Sequence, residues 1–218
     1  MPSPLPGFYG KLPDLGDFVS RRLPPAFIDL WDAWSRQLLT TSRAALGEAW
    51  LAAWLGAPVW HFGLGHGFLG DQAWGVLIPS VDRVGRHFPF TIVSPTAPDG
   101  RPLRDWALRA ESLALAALDD GFSPETLESA LSDLGPPSPR APGTAAARQP
   151  LPTNPGDWPD LVESTAAPAA DESLWWCRGA DLVAPTLLRC LGLPSGEVAG
   201  SMIGSKEGQG SALDPLGP

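Results

Sequence analysis

Three apolar runs, "PVWHFGLG" at 58–65, "AWGVLIP" at 73–79 and "FPFTIVSP" at 88–95, succeed one another with only Gly-rich or charged turns between them. They are rich in the β-branched and aromatic residues that suit a pleated, half-buried surface. Turns this short leave no room for a crossover helix at each junction, so the strands belong to a mixed or antiparallel sheet. Helical patterns bracket them. "PPAFIDLWDAWSRQLLTTS" sets Phe27, Leu30, Trp31, Trp34 and Leu38 at three- and four-residue spacing behind a double proline suited to a first helical turn. Trp50 and Trp54 begin a shorter stripe. Downstream, "PLRDWALRAESLALAALDDG" turns Leu103, Trp106, Ala110, Leu113 and Ala117 to one side, and Ser123, Pro124 and Glu125 supply an N-cap, an N1 proline and an early acid. Helices before and after the strands predict an α/β fold, a three-layer α/β/α sandwich with a mixed or antiparallel central sheet.

The remaining segments fit around that frame. "PGFYGKL" reads as a short first strand and "PDLGDF" as the turn leaving it. Residues 135–157 hold seven prolines and almost no large apolar side chain, which predicts an exposed flexible segment inside a single domain spanning 1–218. "ESLWWCRG" reads as one more strand, and "PTLLRCLGLPSG" as at most a short helix and loops. The chain beyond residue 157 is too short to build its own core, so it must dock on the first two thirds. Most of the ten tryptophans sit at helical or strand spacing, which assigns them to packing.

Charge and cysteine usage remove several function classes. Fifteen basic against twenty-four acidic residues give a net charge of −9, with a pI near 4.7. No Lys/Arg run is present, so nucleic acid is not an expected partner. Cys177 and Cys190 lie thirteen residues apart in apolar surroundings and suit buried thiols in a reducing compartment. The start "MPSPLPGFYG" lacks the regions of a signal peptide. Residues 49–70 contain no Asp, Glu, Lys or Arg, yet Pro58, five glycines and two histidines argue against a spanning helix. The expectation is a soluble cytoplasmic protein with no stable membrane insertion.

The candidate chemistry centres on "SVDRVGRHFPF", residues 80–90. Ser80, Asp82 and His87 are the residue types of a hydrolytic triad, but one short loop can hardly supply the geometry, and no G-x-S-x-G elbow is present. His61 and His66 are five apart with no acid between them, which does not match a zinc helix. Lys11 follows a glycine after a strand, yet the P-loop spacing and hydroxyl are missing. Asp14 and Asp17 read as turn and cap residues. The expectation is no catalytic residue, no metal and no cofactor. Asp82 with Arg83 and Arg86 has two readings. One arginine forms a buried bidentate pair with Asp82 or Asp17 and fixes the loop against the first strand. Alternatively, a free guanidinium holds an acidic or phosphorylated group. Both can hold at once.

Three blocks, "GFYGKLPDLGDFVSRRLP", "GVLIPSVDRVGRHFPFTI" and "SLWWCRG", resemble in order and spacing the type VI secretion accessory proteins called TagF or ImpM. The resemblance spans residues 6 to about 195, with 135–157 looking like a variable insertion. It implies a three-layer α/β/α domain without known catalytic activity, acting in the bacterial cytoplasm. It also implies a post-translational negative regulator acting through the forkhead-associated-domain scaffold protein of that system. Some members are fused to a phosphatase domain, for which 218 residues leave no room. The motif positions are Gly10, Lys11, Gly16, Asp17 and Phe18, then Ser80, Asp82, Gly85, Arg86, Phe88 and Pro89, then Trp175 and Trp176. Lys11, Asp17, Phe18, Ser80, Asp82, Arg83, Arg86, Trp175 and Trp176 are the candidate partner-binding or motif residues. A small-molecule or phosphate sensor, or a degenerate enzyme using the Arg83/Arg86 loop, is the alternative. A sensor should show a concave site with a free arginine. A pure interaction module should show its polar groups mutually satisfied beside an apolar patch.

Overall fold

The computed structural model of the chain describes residues 4–139 and 167–205. Its seven strands are β1 (Gly7–Gly10), β2 (Val19–Arg21), β3 (Trp60–Leu64), β4 (Ala73–Ile78), β5 (Phe90–Pro95), β6 (Glu172–Cys177) and β7 (Thr186–Leu191). They form one open sheet in the order β2-β1-β5-β4-β3-β6-β7, and every neighbouring pair is antiparallel. The helices are α1 (Pro25–Leu46), α2 (Trp50–Leu55), α3 (His66–Leu69), α4 (Leu103–Ala116), α5 (Pro124–Leu134) and α6 (Gly196–Ser201).

Strand alternation divides the apolar side chains into two clusters. In one, Trp60, Phe62, Leu64 and Trp175 pack with Phe27, Trp31, Trp34 and Leu38 of α1 and with Ala199 of α6. In the other, Trp74, Val76, Ile92 and Trp176 pack with Trp106 and Ala110 of α4 and with Leu127 and Leu131 of α5. Trp175 and Trp176 are neighbours in sequence and fall in different clusters, because successive strand residues point to opposite faces. Both are buried and belong to the core. Their indoles sit in aromatic arrays: Trp175 lies 5.1 Å from Trp34 and 4.9 Å from Phe62. Trp176 stacks on His61 at 5.1 Å.

Room for these rings comes from glycine. Phe62 faces Gly75 across β3 and β4, and Gly63 faces Trp74. A Cβ at Gly75 would fall 2.2 Å from the Phe62 ring, and one at Gly63 would fall 2.3 Å from the Trp74 ring. Each ring therefore lies over the glycine opposite.

Several expectations are corrected. Residues 186–191 form an edge strand, not loops, because β6 offers them a complete ladder. Leu30 points outward, 43% exposed, while Phe27, Trp31, Trp34 and Leu38 are buried. Val19–Arg21 adds an unforeseen short strand. The charge-poor stretch 49–70 is divided among α2, β3 and α3, and among the described residues no helix is long and apolar enough to cross a membrane. The proline-rich segment begins bonded. Arg101 N donates to Pro136 O at 2.9 Å, Ala97 N to Pro137 O at 2.9 Å, and Ser138 N to Arg101 O at 2.7 Å. Residues 140–157 lie outside the described ones.

Gly75→Val should destabilise the protein by about 1–3 kcal/mol through overpacking, since a Cβ there would fall 2.2 Å from the Phe62 ring and 2.5 Å from the Ile92 carbonyl oxygen. Urea unfolding followed by tryptophan fluorescence measures it, and an unchanged midpoint would mean that both the ring and the neighbouring strand have room to move.

Candidate functional site

Two chain segments meet at one end of the sheet. The first leaves β1 and runs over residues 11–18; the second joins β4 to β5 over residues 79–89. Their approach needs a glycine: at Gly10, with φ of +139°, a Cβ would fall 2.2 Å from the Pro89 carbonyl oxygen. Arg83 N then donates to Leu15 O at 3.0 Å, and Ser80 Oγ to Lys11 O at 2.7 Å.

The Asp82 carboxylate sits at the centre of this junction. It is 3% exposed and receives four hydrogen bonds. Lys11 Nζ and Arg86 Nε donate to Oδ2 at 2.8 and 2.7 Å, and Val84 N and Arg86 N donate to Oδ1 at 3.0 and 2.8 Å. Burial alone would push the carboxyl up, but the bonds from Lys11, Arg86 and Val84 outweigh it and hold Asp82 well below the usual carboxylate range. Lys11 is 4% exposed, so its ammonium depends on this partner and on the Phe18 ring, whose centroid is 5.0 Å away. Phe18 in turn stacks on Tyr9 at 5.5 Å and meets the edge of Phe88 at 4.8 Å.

The expected contact between the arginine loop and an acid is present, in a different form. The buried cation of the contact is Lys11 and not an arginine. Arg86 gives one nitrogen to Asp82 and another to the Gly16 carbonyl oxygen, so it ties the two segments together without a bidentate carboxylate pair. Its side chain is 56% exposed. Asp17 is exposed and accepts from Phe18 N at 2.8 Å. Asp14 accepts from Gly121 N at 2.6 Å. Arg83 is exposed and makes no side-chain hydrogen bond or ion pair among the described residues.

The triad residue types are adjacent yet engaged elsewhere. The Ser80 hydroxyl points to the Lys11 carbonyl, Asp82 serves Lys11 and Arg86, and the His87 ring lies edge-on to Trp50 at 5.2 Å and Trp54 at 6.3 Å. Far along the sheet, buried His61 Nε2 lies 2.8 Å from Glu111 Oε2, and Arg178 pairs with the other carboxylate oxygen. Sequence reasoning missed this cluster. Its signal was an acid at a buried stripe position of α4, alongside Ala107, Ala110 and Ala114.

An apolar groove of about 250 Å³ opens beside the Asp82 junction. Pro13 and Val81 line it from the two motif segments, Leu55 from α2, and Leu115 and Leu118 from α4 and its end. Ser80 is its one hydroxyl, and that group is already bonded inward.

Residues 7–134, more than half of the chain, match the TagF N-terminal domain, described as type VI secretion system-associated. The chain belongs to the TagF family. A crystal structure of PA0076 from Pseudomonas aeruginosa PAO1 is similar over 98% of this chain and 100% of that one, with a TM-score of 0.71 and 36% sequence identity. No curated protein matches. Both segments of the Asp82 junction fall inside the TagF match, whereas β6, β7 and α6 lie beyond it.

Asp82→Asn should cost about 3–5 kcal/mol near neutral pH, since it leaves Lys11 buried with a neutral partner. The folded carboxyl titrates below its ordinary value of about 3.9, so its stabilisation is complete above that value and is lost as pH falls below it. Denaturant unfolding across the acid range should therefore show the gap between wild type and variant narrowing below about pH 4. A constant gap would remove Asp82 from the acid response.

Proposed function

We propose that this TagF-family protein is a non-enzymatic, cytoplasmic regulator of type VI secretion. In this reading it represses the system post-translationally by binding the forkhead-associated-domain scaffold protein, through the surface around residues 11–18 and 80–89. The same reading takes the two core clusters as helices on opposite faces of the sheet, the three-layer arrangement of the family. The observation that carries it is the Asp82 junction. Lys11, Ser80, Asp82 and Arg86 satisfy one another, which builds a rigid platform, while the concavity beside them is apolar. A small-molecule sensor would need several polar groups converging into that concavity. The groove offers one hydroxyl, already bonded to the Lys11 carbonyl. A hydrolase would need Ser80 and His87 engaged with each other, and each is held by other groups.

Overproducing wild type in a host with an active system should lower secretion of its effectors, as measured by immunoblot of culture supernatant. Purified protein should turn over no phosphoester, acyl or nucleotide substrate. Turnover that disappears with Ser80→Ala or His87→Ala would replace this reading with an enzyme.

A further inference from the structure

The chemistry of the partner can be read from the groups that the Asp82 junction leaves unused. Three cations stand on the two segments, at Lys11, Arg83 and Arg86, and two of them share Asp82. The nearest exposed acids of the first segment are turned to backbone: Asp17 accepts from Phe18 N and Asp14 from Gly121 N. Arg83 remains exposed with no side-chain partner among the described residues, its guanidinium lying over Gly16. The three cations are matched by Asp14, Asp17 and Asp82 on the same two segments, so the local charge is even although the chain carries −9 overall, and Arg83 is the one cation there with no side-chain partner among the described residues. Burial first, and then Arg43, opposed by Asp82 and aided by Lys11, hold His87 below its ordinary value. At physiological salt the more distant acids are screened beyond about 8 Å.

The backbone that carries Arg83 also lines the groove. Val81 is two residues before it, and Pro13 is two residues before Leu15, whose carbonyl receives the Arg83 amide. Leu55, on the opposite wall, is 65% exposed, and Leu115 is 45% exposed. Apolar walls with an unpartnered cation on the adjoining loop fit one kind of occupant. We infer that the partner presents an acidic residue next to a large apolar side chain, the acid pairing with Arg83 and the apolar side chain entering the groove between α2 and the end of α4. This rests on the regulator reading above and adds the contact residues and the chemistry of the segment they receive.

The test is binding of the purified scaffold protein from the host to immobilised full-length wild type, Arg83→Glu, Arg83→Lys, Leu55→Asp and, on the distant β7 edge, Leu191→Asp. All three positions are exposed, so each variant should melt as wild type does by circular dichroism. Arg83→Glu and Leu55→Asp should each weaken binding by about tenfold or more, as loss of an anchor or reversal of a steering charge does. Arg83→Lys and Leu191→Asp should stay within about threefold of wild type. Added salt should weaken wild type more than Arg83→Glu. Folded Arg83→Glu and Leu55→Asp variants that bind as wild type does, or loss in only one of them, would overturn the inference while leaving the regulator reading standing. Failure of wild type itself to bind the scaffold would overturn both.

Discussion

A carboxylate withdrawn from water must be surrounded by donors, and Asp82 is the clearest instance in this chain. Its four donors come from β1's continuation and from its own loop, so the full bond set exists only where β1 lies beside β5 and the β4–β5 connection turns back on itself. The junction thus ties distant parts of the fold together as well as its own loop. Breaking one member leaves a buried charge behind, which is why these residues act as a unit. Rigidity at this end of the sheet then arises from chemistry, with Lys11, Ser80 and Arg86 each closing one contact between the two segments.

The sheet supplies the other half of the design. Its central strands are buried on both faces, so β3, β4 and β5 read in sequence as nearly continuous apolar runs. Adjacent tryptophans on β6 serve opposite clusters, one packed with α1 and the other with α4 and α5. A register slip of one residue would exchange those faces along the whole strand. The His61–Glu111 pair adds a polar pin between β3 and α4 in the second cluster.

Much of this was legible in the chain. The strands of 58–95 and the amphipathic helices can be read from their period, and Ser123 caps α5 as its position implied, accepting from Thr126 N at 3.1 Å. The edge strand at 186–191 was not legible, because "TLLRCL" has no strand alternation of its own and takes its form from β6. Within the site, opposite charges on two turns pointed to an ion pair, but which cation is buried depends on how β1 delivers Lys11. That is fixed by the close approach at Gly10, a tertiary fact. Glu111 was hidden for the same reason: its partner His61 is fifty residues away in sequence.

The pairing of each ring with the glycine opposite has a consequence for how such a sheet can change over time. Phe62 with Gly75, and Trp74 with Gly63, are two-position units in which volume is shared across the ladder. A larger residue at Gly63 requires the Trp74 ring to shrink with it, whereas at Gly75 a Cβ would also fall 2.5 Å from the Ile92 carbonyl oxygen, which no change of Phe62 removes. Gly63 and Trp74 are therefore coupled by volume, and a tally of single changes there would understate how many sequences the central strands can accept.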